Sequence, residues 1–155
     1  MADRLTPEQR RLNMSRVRAK DTGPEMAVRR LLHHAGYRYR LHSRELPGRP
    51  DLVLPRYRTV VFVHGCFWHG HGCSLFKVPT TRTEFWTAKI DANKRRDEAA
   101  VVALATAGWR SLWVWECALR GRGRRSPEAL RDGIVAFING ETGFQAIGQA
   151  EVPSR

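Results

Sequence analysis

The sequence predicts one α/β domain with a mixed central sheet flanked by helices. Two stretches of strand type, at residues 59–64 and 109–115, enclose a long helical stretch that begins at Thr83. Strand, helix and strand in this order form a crossover that makes the two strands parallel. A shorter strand at residues 51–54 is joined to Thr59 by a turn and should pair antiparallel. With 155 residues, 42% of them hydrophobic, the chain can bury a core.

The charge of the chain favours a polyanionic partner. Its 27 Lys and Arg residues against 15 Asp and Glu give a formal charge of +12. We rank nucleic acid above a merely solvated surface, because so large an excess costs self-repulsion unless a partner uses it. No apolar run is long enough for a membrane span, and residues 1–4 have no signal-peptide pattern, so we expect a cytoplasmic protein.

The chain divides into a basic N-terminal arm (1–21), a main domain (22–140) and a C-terminal tail (141–155) with little pattern, which we expect to be disordered. The arm has few apolar residues, among them Met14 and Val17. It is either mobile or laid across a DNA backbone with these two side chains touching a groove. In the main domain, Thr22 and Glu25 have the spacing of a capping box. Capping is the default role of Glu25, and contact with an active-site histidine is the alternative.

A glycine-punctuated loop after residues 59–64 carries a candidate zinc site. Cys66, His71 and Cys73 lie in this loop, and Cys117 follows the next strand at the same edge of the sheet. Three thiolates and an imidazole complete a tetrahedral Cys₃His set, which suits structural Zn²⁺. Buried, inert thiols are the alternative. Three cysteines, an odd number, argue against a disulfide framework.

Two further histidines and a carboxylate suggest phosphodiester hydrolysis. The antiparallel pair of strands should bring Asp51 near His64 and His69. One carboxylate is a suitable ligand for Mg²⁺, and a histidine can accept a proton from an attacking water. An ordinary turn aspartate and surface histidines are the alternatives.

Three aromatic side chains flank these groups: Phe67 and Trp68 in the loop, and Trp86 at the start of the long helix. Exposed aromatics in basic surroundings can wedge between bases. Packing around the zinc site is the alternative.

Taken together, the motifs resemble those of the very short patch repair (Vsr) DNA mismatch endonucleases, with collinear spacing from about Thr6 to Gly140. The motifs that carry the resemblance are Leu46-Pro47-Gly48-Arg49-Pro50-Asp51, His64-Gly65-Cys66-Phe67-Trp68-His69, Phe76-Lys77-Val78-Pro79, Thr81-Arg82-Thr83-Glu84-Phe85-Trp86 and Val114-Trp115-Glu116-Cys117-Ala118-Leu119-Arg120-Gly121. The resemblance implies a restriction-endonuclease-like fold of the PD-(D/E)xK type. It also implies an enzyme that nicks one DNA strand 5′ to the T of a T·G mismatch arising from 5-methylcytosine deamination.

By the same resemblance, Asp51 and the backbone carbonyl of Val63 would bind Mg²⁺, His69 would be the general base, His64 would assist at the phosphate, and Glu25 would orient His69. The four Cys and His residues would hold structural Zn²⁺. Residues implied in DNA contact are Phe67, Trp68 and Trp86 as intercalating side chains, Lys89 and Asn93 at the mismatched pair, and the N-terminal arm with Met14 and Val17 on the minor-groove side.

Two departures accompany this resemblance. His64 stands where the broader nuclease fold has lysine, as it does in the Vsr branch, and Val63 stands where a Vsr relative has threonine. The expected partner is duplex DNA with a T·G mismatch. Mismatch-repair proteins and a repair polymerase would be further partners. We expect a monomer that acts at the nucleoid. A less selective Mg²⁺-dependent nuclease of the same fold and a zinc-stapled DNA-binding module without catalysis are the other hypotheses.

Overall fold

The computed structural model describes residues 22–150 together with Thr6 and Glu8. Met14 and Val17, predicted to contact a DNA groove, lie outside the described residues, so this prediction stays open. Within residues 22–150 the chain forms three α-helices, two short 3₁₀ helices (Pro55–Tyr57 and Glu116–Ala118) and five strands. The helices are α1 (Gly23–His34), α2 (Thr83–Thr106) and α3 (Pro127–Asn139). The strands are β1 (Arg40–Leu41), β2 (Leu52–Leu54), β3 (Thr59–His64), β4 (Arg110–Trp115) and β5 (Phe144–Ile147).

The five strands form one mixed sheet in the order β1-β2-β3-β4-β5. The pairs β1–β2 and β2–β3 are antiparallel, and β3–β4 and β4–β5 are parallel. The predicted antiparallel pair and the predicted crossover are therefore both confirmed. His64 lies opposite Trp115 at the carboxyl ends of β3 and β4, so the loops after these strands leave the sheet at one edge. We call this the catalytic edge.

The apolar side chains divide between the two faces of the sheet. On one face, α1 and α3 pack against alternate strand residues, with Val61, Leu112 and Val114 among the buried ones. On the other face, Leu104 of α2 packs against Val60 and other strand residues. Fully burying one such aliphatic side chain stabilises the fold by about 1.5–3 kcal/mol. The helices therefore cover both faces and leave the catalytic edge for polar chemistry.

The helix ends follow the chemistry that the sequence predicts. The Thr22 hydroxyl accepts a hydrogen bond from the backbone N–H of Glu25 at 3.3 Å, and the Ser126 hydroxyl accepts one from Ala129 at 3.1 Å. The apolar face of α3 is buried along its whole length, at Leu130, Ile134, Phe137 and Ile138. No helix in the described part of the chain is long and apolar enough to cross a membrane.

The expectation of a disordered tail is wrong for residues 144–147, which form β5. Three of these four residues are exposed and only Ile147 is buried, so the segment lacks the apolar alternation that marks a strand in sequence. Pairing with the open edge of β4 instead supplies hydrogen-bond partners for the backbone N–H and C=O groups of β5. Residues 148–150 then continue toward the loop after β3.

Candidate active site and metal centre

The β2–β3 pair brings a carboxylate to the end of β3. Asp51 immediately precedes β2, and its Oδ2 accepts a hydrogen bond from the backbone N–H of Val63 at 2.7 Å. The sequence-based prediction that Asp51 lies near the end of β3 is thus confirmed. Burial, with Glu25 adding to it, raises the pKa of Asp51 from 3.8 to about 6, against the lowering effect of the Val63 hydrogen bond.

Asp51 belongs to a small cluster with Glu25 and His42. One ligand atom from each of the three side chains lies within 4.8 Å of the others. Glu25, 2% exposed, contacts His42 Nε2 through Oε1 at 2.5 Å and Arg29 Nη2 through Oε2 at 3.3 Å. A hard divalent cation prefers such carboxylate oxygens. Sequence reasoning missed His42, because an isolated histidine after a short strand carries no motif.

A second cluster, formed by His64, His69 and Asp97, lies at the same edge. His69 Nδ1 and Asp97 Oδ2 form a short hydrogen bond. Because an ionised carboxylate only accepts, the imidazole must donate from Nδ1, which leaves its Nε2 lone pair free to take a proton. This corrects the predicted pairing of His69 with Glu25: the hydrogen-bonded partner of His69 is an aspartate on α2, while Glu25 pairs with His42 and Arg29.

Glycine at position 70 allows this approach to α2. Gly70 has φ +61°, and a Cβ there would lie 2.5 Å from Ile90 Cγ2 and 2.6 Å from Lys94 Cε. Both clashing side chains belong to α2, so any larger residue would push the loop away from the helix. This close contact brings His69 within hydrogen-bonding distance of Asp97, which lies about four helical turns after the start of α2.

His64 is a buried and neutral imidazole beside His69. Its ring centroid lies 4.1 Å from that of His69 and 4.9 Å from that of Trp113. Burial and the neighbouring His69 hold the pKa of His64 well below its usual value. Among the described residues, no hydrogen-bond partner faces its buried Nε2. A buried polar atom without a partner in the protein is suited to meet a water or a phosphate oxygen.

A cleft of about 410 Å³ opens beside His69 and Asp97. Arg49 and Arg96 line it and give it positive charge, and Asn93 closes one side. Asn93 Nδ2 also donates a hydrogen bond to the backbone carbonyl of Trp68 at 2.8 Å. The predicted DNA-reading residue Asn93 therefore holds the loop that carries the aromatic side chains.

The structure brings the four predicted zinc ligands together. Their ligand atoms all lie within 4.8 Å of one another, and His71 Nδ1 is 3.7 Å from Cys66 Sγ and 3.4 Å from Cys117 Sγ. Zn–S and Zn–N bonds of ordinary length at a tetrahedral angle predict about 3.6 Å for such an S···N distance. Burial raises the pKa of the Cys66 and Cys117 thiols, so a cation is needed to keep them as thiolates. The donor set and its spacing fit Zn²⁺.

The C-terminal segment supports this cluster. The backbone N–H of Gln149 donates to Cys117 Sγ at 3.2 Å, and the Gln149 Oε1 accepts hydrogen bonds from the Ser74 hydroxyl at 2.8 Å and backbone N–H at 3.3 Å. The backbone N–H of Cys117 donates to Cys66 Sγ at 3.3 Å. N–H donors directed at sulfur favour the thiolate form.

Three aromatic rings, which we call the aromatic wedge, cluster next to the histidines. The ring centroids of Phe67, Trp68 and Trp86 lie between 5.1 and 5.8 Å apart, and all three side chains are half-buried. Lys89 Nζ lies 5.8 Å from the Trp68 ring. The exposed ring of Phe85 extends the group, 5.2 Å from Trp86. The buried thiols of Cys66 and Cys117 pack instead with Trp115, next to Leu75 and Trp113.

Comparison with known proteins identifies relatives of this chain. A family profile described as "DNA mismatch endonuclease Vsr" matches residues 2–75. The "Type II nicking enzyme V.XorIIP" of Xanthomonas oryzae pv. oryzae is 55% identical over 79% of this chain and 90% of its own length. The "DNA mismatch endonuclease Vsr" of Escherichia coli is 48% identical over 91% of this chain and 90% of its own length. Such identity over most of both chains shows that this chain belongs to the Vsr family of DNA mismatch endonucleases.

Proposed function

We propose that this chain nicks one DNA strand 5′ to the T of a T·G mismatch arising from 5-methylcytosine deamination, in a Mg²⁺-dependent reaction that initiates very short patch repair. The observation that carries the proposal is the pairing of His69 with Asp97 beside the buried, unpartnered Nε2 of His64. An orienting carboxylate and a base at one cleft, with the buried imidazole of His64 packed against the base, form a hydrolytic constellation.

In this mechanism His69 Nε2 accepts a proton from the attacking water, while Asp97 holds the ring and stabilises the imidazolium that forms. The water oxygen bonds to phosphorus and one P–O ester bond breaks, so that only one strand is cut. The neutral His64, in contact with the His69 ring, would assist at the phosphate. Arg49 and Arg96 attract the scissile phosphate to the cleft.

Asp51 and the backbone carbonyl of Val63 would hold the Mg²⁺. Bound Mg²⁺ supplies charge stabilisation at the phosphate and at the leaving oxygen. The position of Asp51, at the end of β3 and within reach of Glu25, supports this assignment. In place of the predicted contact with His69, Glu25 would act through His42 and Asp51.

Structural Zn²⁺ would be bound by Cys66, His71, Cys73 and Cys117, a closed set of four ligands with no open position for chemistry. Its role would be to hold the loop that bears His69 and the aromatic wedge. The mixed sheet with helices on both faces and the carboxylate before β2 support a restriction-endonuclease-like, PD-(D/E)xK-type fold.

The aromatic wedge would insert beside the mismatched pair, with Lys89 and Asn93 reading that pair. Unstacking costs least at a mismatch, which gives the wedge a physical basis for selectivity. We place this activity in the cytoplasm, at the nucleoid, in a monomer that hands its product to mismatch-repair proteins and a repair polymerase.

Strand nicking tests the proposal directly. End-labelled duplexes that differ only by one T·G pair are incubated with and without Mg²⁺, beside an Asp51→Ala variant. We expect one nick beside the mismatched T that depends on both Mg²⁺ and Asp51. Equal cutting of the matched duplex would favour a less selective nuclease, and binding without cutting would favour a non-catalytic DNA-binding module. Nicking by Asp51→Ala at the wild-type rate would disprove the metal-binding role.

A further inference from the structure

A loop rich in arginine follows β4 at the catalytic edge, and no step of the mechanism above uses it. We call residues 119–125 the arginine loop. It carries Arg120, Arg122, Arg124 and Arg125 within six positions. Because β4 is parallel to β3, this loop leaves the sheet at the same edge as the loop that bears the catalytic histidines.

Most of this positive charge is not neutralised by the protein. Arg120 pairs with Glu116 at 2.9 Å. Arg124 and Arg125 donate to backbone carbonyls at 3.2 and 2.7 Å, which orients their guanidinium groups but leaves their charge. Within the described part of the chain, the exposed side chain of Arg122 has no partner. Three uncompensated charges line one cleft of about 480 Å³.

Close packing restricts the backbone of the arginine loop. Gly121 has φ +90°, and a Cβ there would lie 2.8 Å from Leu75 Cδ2. A Cβ on the buried Gly123 would lie 2.8 Å from Gln149 Cβ, and the Gly123 carbonyl accepts a hydrogen bond from the Ala150 N–H at 2.7 Å. The arginine loop therefore packs between Leu75, in the loop after β3, and the C-terminal residues Gln149 and Ala150. A preorganised set of charges loses less entropy when it binds an anion.

The arginine loop also begins next to the aromatic wedge. Gly65 separates the two features: a Cβ there would lie 3.4 Å from Trp68 Cδ1 and 4.0 Å from Glu116 Oε1. Glu116 is the ion-pair partner of Arg120. Duplex DNA carries one negative charge per roughly 1.7 Å of its axis. A duplex that is engaged by the wedge and runs along the sheet edge past Glu116 would therefore bring backbone phosphates to the arginine loop.

We propose that the cleft of Arg122, Arg124 and Arg125 binds backbone phosphates of the duplex on the flank of the wedge and thereby fixes the position of the mismatch. The inference rests on the proposed function, because it takes the DNA held at the catalytic edge as its ligand. Contacts of this kind position a duplex without reading its sequence.

The test is the salt dependence of duplex binding by the full-length protein, with a short labelled duplex as the probe. The log of the binding constant is plotted against the log of salt concentration for the wild type and for R122Q/R124Q. Both side chains are exposed, so their exchange should not disturb the core. Each lost phosphate contact lowers the slope by about 0.9 in magnitude, so we expect a decrease of about 2 for the double variant. The decrease should be equal for T·G and matched duplexes.

Two control variants separate the site from general charge. R122K/R124K keeps the charge and should retain most of the slope. R38Q/R56Q removes the same charge from a cleft next to β1 and the end of β2, away from the catalytic edge, and should leave the slope unchanged. An unchanged slope in R122Q/R124Q, or an equal decrease in R38Q/R56Q, would overturn the inference. Nicking of the T·G duplex by the wild type is measured with the same preparations. If the wild type nicks but R122Q/R124Q keeps the wild-type slope, only the phosphate site is rejected. If the slope of R122Q/R124Q decreases but the wild type does not nick, only the proposed function is rejected.

Discussion

The tautomer of His69 depends on one carboxylate. With Asp97 as acceptor, Nδ1 carries the proton and Nε2 can act as a base. In Asp97→Asn the amide can donate to Nδ1, which favours the tautomer with the proton on Nε2 and blocks proton transfer from water. Since a positioned general base contributes about 10²–10⁴ in rate, we expect single-turnover nicking to slow by at least about 10².

Asp91→Asn is the matched control for this prediction, because it makes the same chemical change at an exposed position of the same helix. Both variants should bind a T·G duplex like the wild type. Equal nicking rates in the two variants would show that Asp97 does not position the base.

Asp97 also marks a limit of sequence reasoning. It stands among Arg95, Arg96 and Glu98 on a long charged helix, where an acidic side chain ordinarily faces water. One signal was available: Asn93 and Asp97 are four residues apart and so share a helix face. By contrast, the placement of Asp51, the clustering of the three cysteines with His71, and the aromatic wedge could be predicted. Each depends on residues next to a strand end or on a rare combination of residue types.

The C-terminal segment supports the loop after β3, which bears three of the four proposed zinc ligands, through a side chain as well as a backbone N–H. Gln149→Ala removes the two hydrogen bonds that Ser74 donates to Oε1 but keeps the bond from the Gln149 N–H to Cys117. Hydrogen bonds of this kind are worth about 1 kcal/mol each. We expect release of Zn²⁺ to a colorimetric chelator to accelerate about fivefold or more.

The chain supplies its own controls for this measurement. Gln145→Ala changes the same residue type at an exposed position of β5 and should release Zn²⁺ at the wild-type rate. Cys117→Ser removes a ligand and should bind Zn²⁺ poorly from the outset. Release from Gln149→Ala at the rate of Gln145→Ala would mean that the Ser74 contact does not hold the loop.

Elements with their own local signals could be predicted, and β5 could not. α1 and α3 have polar caps and apolar stripes, and β3 is a run of buried residues in which only Val63 is partly exposed. β5 has one buried residue, and it forms because β4 offers an edge and because Gln149 and Ala150 are held beyond it. A strand stabilised by what lies beside it leaves little trace in its own sequence.

For the whole molecule, the buried carboxylate of Asp51 at the catalytic edge lowers the free energy of unfolding when it is ionised. The pKa of Asp51 is raised from 3.8 to about 6 in the fold, so the folded state binds its proton more tightly than the unfolded state does. The contribution of Asp51 to wild-type stability therefore falls as pH rises through this window, and this loss is complete above about pH 6. Two pKa units correspond to about 3 kcal/mol at full burial, and residual solvent access makes about 2 kcal/mol a better expectation.

Asp51→Asn removes this cost together with the activity. In Mg²⁺-free buffer we expect the variant to exceed the wild type in free energy of unfolding by about 2 kcal/mol near pH 8, with the difference vanishing near pH 4. Denaturant unfolding at both pH values measures it, with Asp91→Asn, an exposed aspartate on α2, as control. A difference that is constant with pH would show that Asp51 is not an ionised, destabilising group at neutral pH. We expect the difference in free energy of unfolding to grow with pH and added Mg²⁺ to narrow it by stabilising only the wild type. A ligand that binds only the folded state stabilises that state. This result would link the buried charge of Asp51 to metal binding.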